Sequence, residues 1–208
     1  MKKWLVILIC LGALFAETSR HTGERVEAPS EEAAMVVAAA RKQIGVTTRY
    51  VPDYVSLEYP GGDVPIETGV CTDVVVRALR GVEVDLQELV HKDMAANFSA
   101  YPNNWGLRRT DRSIDHRRVP NLKTFFKRKG KRLSVTEDPA DYLPGDFVTC
   151  TVAGKLPHIM IVSDKKDRSG NPMVIHNIGR GAEEEASLFA FPITGHYRYF
   201  PAPERTED

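Results

Sequence analysis

Three cysteines in 208 residues give no disulfide framework. Cys10 lies in the N-terminal apolar run, so only Cys71 and Cys150 are left to form one bond in an oxidising compartment. Net charge is lacking as well: 28 Lys and Arg face 28 Asp and Glu, which removes the global electrostatic case for nucleic acid. The longest apolar run, residues 4–15, is too short to span a bilayer comfortably. Neither C-x-x-C nor H-E-x-x-H spacing occurs, so a zinc reading of Cys71, His158 and His176 lacks paired ligands and no cofactor is implied. No internal repeat or low-complexity tract is visible.

What is present begins with Lys2 and Lys3 ahead of that apolar run and a small residue at Ala16, the pattern of an export signal over residues 1–16. A polar lead-in over residues 17–29 follows, then a single domain over residues 30–203. Exported to the periplasm or beyond, such a chain keeps no stable membrane span after signal cleavage. Ser30 and two glutamates open a helix that Gly45 closes. Val74, Val75, Ala78 and Leu79 recur at helical spacing, so a second helix starts at Val70 or Cys71 and stops at Gly81. Leu86, Leu89, Val90 and Met94 mark a third, and residues 120–130 a fourth. Residues 98–119 lack apolar periodicity and are expected to be a long ordered loop or substrate-facing insertion. From residue 147 the period changes to two, predicting strands over 147–152, 159–163, 173–177 and 197–200. Helices first and an antiparallel sheet afterwards is an α+β order.

Cys71 is the sharpest chemical feature. At a helix start, the dipole and the unpaired first-turn amides favour a thiolate and offer an oxyanion hole. A buried or disulfide-bonded cysteine is the structural alternative. His158, at the mouth of an apolar strand, is a candidate base, and His176 in a second strand is placed to accept its Nδ1 proton and fix its tautomer. Asn177 competes for that orienting role, but neighbouring strand residues face opposite sides. His116 is a lesser rival to His158.

Five blocks resemble, in order, the NlpC/p60 papain-like peptidases: Tyr59-Pro60-Gly61-Gly62, Gly69-Val70-Cys71-Thr72-Asp73, Pro144-Gly145-Asp146-Phe147-Val148, Pro157-His158-Ile159-Met160-Ile161-Val162 and Val174-Ile175-His176-Asn177. Thr48-Arg49-Tyr50, the Cys71 block, Asp115-His116-Arg117-Arg118-Val119-Pro120-Asn121 and Ile175-His176-Asn177-Ile178-Gly179 are similar to the YijF-like family of exported bacterial proteins. The resemblance covers roughly residues 34–200. It implies a papain-like fold with residues 91–142 as an insertion, and a Cys71, His158, His176 triad, with Tyr59 and Asp73 near the substrate. Val70 and Thr72-Asp73 depart from the Asp-Cys-Ser-Gly usual in NlpC/p60 enzymes.

Residues 108–132 hold eleven Lys and Arg against Asp111 and Asp115. Such local excess in a neutral protein wants an anionic partner, and Arg117 and Arg118 are the expected clamp for a substrate carboxylate. The expected activity is hydrolysis of an amide bond, in peptidoglycan peptides or another anionic envelope substrate, through a thioester on Cys71. The alternatives are an acyltransferase or amidase effector on another envelope substrate, and a non-catalytic envelope-binding module.

Overall fold

A computed structural model describes residues 30–200. The proposed export signal, the lead-in and residues 201–203 lie outside the described residues. Four α-helices come mainly before the sheet: α1 (Glu31–Arg41), α2 (Cys71–Arg80), α3 (Leu86–Ala96) and α4 (Val119–Lys129). Ser30 caps α1 through Ala33 N–H, and Asp85 caps α3 through Gln87 N–H. Between α1 and α2 two short strands, β1 (Arg49–Tyr50) and β2 (Thr68–Gly69), pair in parallel.

The main sheet contains β3 (Lys131–Leu133), β4 (Phe147–Val152), β5 (Leu156–Lys166), β6 (Pro172–Asn177), β7 (Ala182–Glu185) and β8 (Ile193–Arg198). Its order is β3-β8-β4-β5-β6-β7, and every neighbouring pair is antiparallel. The fold is thus α+β, with the four expected helices and the strands expected over 147–152, 159–163 and 173–177 present, while the strand expected over 197–200 lies earlier, as β8. β3 and β7 are additional edge strands, and residues 98–119 carry two 3₁₀ turns, Phe98–Ala100 and Asp115–Arg117.

Alternation along β5 and β6 divides the core in two. Ile159, Ile161 and Ile175 meet α1, α2 and α4 in the larger core, which also contains Cys71. Met160, Val162 and Val174 meet Val148, Cys150, Tyr142 and Leu188 on the other face. The segment expected as an insertion belongs to the first core: Phe126 of α4 stacks on Phe147 of β4 at 4.8 Å, and Phe125 meets Tyr199 edge-on at 5.4 Å. No helix among the described residues is long and apolar enough to cross a membrane.

Candidate active site

α2 is buried along nearly its whole length, so its first residue is held with little freedom. The N-terminal turn is tied from inside the chain. Asp73 accepts from the Val70 N–H at 2.7 Å and receives Arg117 through two hydrogen bonds, at 2.8 and 3.0 Å. Thr72 Oγ1 donates to the Arg117 carbonyl at 3.0 Å. Asn177 completes the clamp by donating Nδ2 to the Gly69 carbonyl at 3.0 Å, while its Oδ1 receives Gly179 and Gly181 N–H. Gly69 itself is tightly placed, since a Cβ there would lie 3.1 Å from that of Asp73.

Cys71 is 4 % exposed and is not in a disulfide; neither is Cys150. Burial pushes the Cys71 thiol up to about 12, although the amides of Ile159 and Thr72 oppose the shift. The expectation of a thiolate at the helix start is therefore corrected for this closed arrangement: desolvation outweighs dipole and amides, and the resting sulfur is a neutral thiol. The Cys71 amide N–H makes no hydrogen bond among the described residues, as first-turn geometry dictates, and is left for an oxyanion.

The two histidines do meet. His158 Nε2 lies 2.7 Å from His176 Nδ1, and both rings are almost wholly buried. His176 Nε2 in turn lies 3.2 Å from Glu185, with Ser187 Oγ at 3.4 Å. The carboxylate can only accept, so His176 carries its proton on Nε2 and presents a bare Nδ1. His158 must then donate from Nε2, which leaves the lone pair on its own Nδ1. The orienting contact thus uses the ring nitrogen opposite to the one expected, and the free nitrogen is Nδ1. Burial, with His176 adding to it, lowers His158 to about 3; burial also lowers His176, against the pull of Glu185.

Cys71 and His158 approach from opposite faces of β5. His158 shares the face of Met160, whereas the thiol rests against the backbone amide of Ile159, the next residue in the chain. No hydrogen bond joins them. His176, not Asn177, reaches His158; Asn177 supports the segment leading into Cys71. His116 is 2 % exposed, lowered by burial to about 4, and makes no hydrogen bond to Cys71.

The residues expected near the substrate are placed as follows. Arg117 is 6 % exposed and committed to Asp73, so neither residue has a free charge for a ligand. Arg117 also has a packing role that loop position hid. Tyr59 packs edge-on against His91 at 5.1 Å with Arg112 over its ring. Arg118 lies 4.0 Å over the Trp105 ring and 3.3 Å from Asp115, which leaves it partly reachable. The residue that sequence reasoning missed is Glu185, one of three consecutive glutamates with nothing in the string to single it out.

The chain matches the family model described as "Domain of unknown function (DUF1287)" over residues 37–199. It is also 56 % identical over 165 residues to "Uncharacterized protein YijF" of Escherichia coli (strain K12), a match covering 79 % of this chain and 80 % of that protein.

Proposed function

The chain belongs to the DUF1287 family, and from its site we propose that it is an exported cysteine hydrolase of the papain-like, NlpC/p60 kind, cutting an amide bond in cell-envelope peptides. One observation carries the reading: a polarised chain from Glu185 through His176 to His158 ends one residue from the amide against which the Cys71 thiol lies. A histidine pair serving only to fill the core would gain nothing from a buried carboxylate-facing relay that leaves one lone pair unspent.

In the proposed cycle the thiol turns from the Ile159 amide to His158 Nδ1, which takes its proton as sulfur attacks the carbonyl carbon. The oxyanion is received by the free Cys71 N–H. His158 returns the proton to the leaving amine, the C–N bond breaks, and a thioester remains on Cys71. Water, deprotonated by His158, then attacks the thioester, releasing the acid and restoring the thiol. Because the two side chains stand on opposite faces of β5, this transfer requires the His158 end of that strand to turn toward Cys71 as the peptide binds.

A non-catalytic envelope-binding module is the rival, favoured by the burial of Cys71 and its missing contact with His158. Incubating the purified protein with cell-wall fragments and weighing the products separates them. New amine and carboxylate ends that disappear with Cys71→Ala support hydrolysis; intact fragments recovered bound to the protein support the module.

A further inference from the structure

Five of the eleven cations of residues 108–132 are spoken for. Arg117 is bound to Asp73, Arg118 to Asp115, and Arg128 and Lys129 to Asp93; Arg112 covers Tyr59. The other six have no carboxylate partner among the described residues, and three of them stand together: Lys123 and Lys127 on α4, and Arg132 on β3. The fold gathers all three around one groove of about 410 Å³, whose walls include Thr151, Pro157 and Thr194 and no acidic residue.

The place of this groove matters more than its charge. Pro157 immediately precedes His158 and shares its strand face with Ile159, whose amide meets the Cys71 thiol. Thr151 pairs with Pro157, and Cys150 pairs with His158. The groove therefore opens on the helix face of the sheet, two residues along β5 from Ile159, whose amide meets the Cys71 thiol. A larger cavity, about 780 Å³, lies elsewhere, against α3 and the end of β8. Within the groove, burial and the neighbouring Arg132 both lower the Lys123 ammonium, a cost that a bound anion would relieve.

We propose that the groove of Lys123, Lys127 and Arg132 is the subsite that binds a carboxylate side chain or terminus of an extended peptide ligand, delivering that peptide past Pro157 to Cys71. This deepens the hydrolase reading by naming the substrate class, and it transfers the anion clamp from Arg117 and Arg118 to three residues without sequence adjacency. A peptide is favoured over a phosphate polymer because the cations stand among proline, threonine and tyrosine walls, which suit a chain with apolar and carboxylate parts in alternation. A phosphate nest would instead present converging backbone N–H groups.

The test measures binding and not turnover, so it can fail or succeed apart from the hydrolase reading. Fluorescence anisotropy is recorded with a dye-labelled, amidated Ala-Glu-Glu-Ala peptide and with its Ala-Gln-Gln-Ala counterpart. The acidic peptide should bind about tenfold more tightly, the summed worth of two or three half-exposed charge pairs. That advantage should vanish in K123Q/K127Q/R132Q, fall part way in each single variant, and persist in a control changed at Lys165 and Lys166 on the far part of β5. Added salt should erode it. Equal binding of the two peptides, or an acidic preference that survives the triple variant, overturns the proposal. So does a glycerol-phosphate oligomer that displaces the peptide at far lower concentration, which would assign the groove to a phosphate polymer. Because the three side chains reach solvent and make no ion pair, circular dichroism should show an unchanged fold. If the triple variant nevertheless unfolds, the three single variants carry the decision: no loss of the acidic preference in any of them overturns the proposal.

Discussion

His158 Nε2 and His176 Nδ1 lie 2.7 Å apart, both rings almost wholly buried, and that contact determines which nitrogen of His158 keeps a lone pair. Replacing His176 by Asn or Gln leaves an amide oxygen to accept the Nε2 proton, whereas Ala leaves nothing. Turnover on wall fragments should fall modestly in the first two and by about 10² to 10⁴ in His158→Ala, where base and acid are both lost. His176→Ala should lie between them. Equal losses in His176→Asn and His176→Ala would count against an orienting role.

Asp73 and Arg117 form a pair with side chains only 4 % and 2 % exposed. Removing one partner leaves an uncompensated buried charge, and Arg117→Ala or Asp73→Ala should lower stability by about 3–5 kcal/mol. Arg118→Ala, which gives up a stacked Trp105 and a partly exposed ion pair, should cost about 0.5–1 kcal/mol. Urea unfolding of the three variants checks the order. A silent Arg117→Ala would restore the clamp role that the geometry removes.

Why Arg117 reads as a loop cation in the sequence is physical. Its partner is 44 positions away, and long-range ion pairs leave no local pattern. By contrast the start of α2 at Cys71 is legible, because Val74, Val75, Ala78 and Leu79 repeat at the helical period toward one core. β4, β5 and β6 are legible from alternation. β3 and β7 are not: Lys131 and Arg132 in one, and Glu183 to Glu185 in the other, are the charged residues that edge strands carry to discourage further pairing. They imitate turns. Glu185 escapes for the same reason, since its role depends on pairing opposite Val174 and reaching diagonally to His176. The free-thiol reading of Cys71 agrees with the structure; its charge state does not, because helix-dipole reasoning from sequence carries no burial.

Acid should unfold this protein early. His158 falls to about 3 and His116 to about 4 in the fold, with His176 also lowered, against about 6.5 in an unfolded chain. The unfolded state therefore takes up more protons below pH 6.5. The stability linked to these rings is fully present above that pH and is lost as pH falls toward about 4 and then 3. Melting temperature followed from pH 7 to 4 should decline in wild type and decline less steeply in His158→Gln. Parallel slopes would show that His158 is not one of the linked groups.

A thiol held neutral by burial should also alkylate slowly. Iodoacetamide at pH 8 should modify Cys71 more slowly than a free cysteine of pKa about 8.5. A peptide that opens the site should speed the reaction, and in His158→Ala that acceleration should be lost. Rapid modification of the unliganded protein at pH 7 would mean that the closed arrangement is not the resting one.

The central claim is that Cys71 forms a covalent bond with its substrate. Wild-type protein is mixed with cell-wall peptides, quenched in acid within the first turnovers, and its intact mass measured, with peptide mapping of any adduct. The account predicts a mass increase matching an acyl fragment on Cys71, present in wild type and in Cys150→Ala, and missing in Cys71→Ala. Product release without any adduct, or cleavage that continues at the wild-type rate in Cys71→Ala, would contradict it.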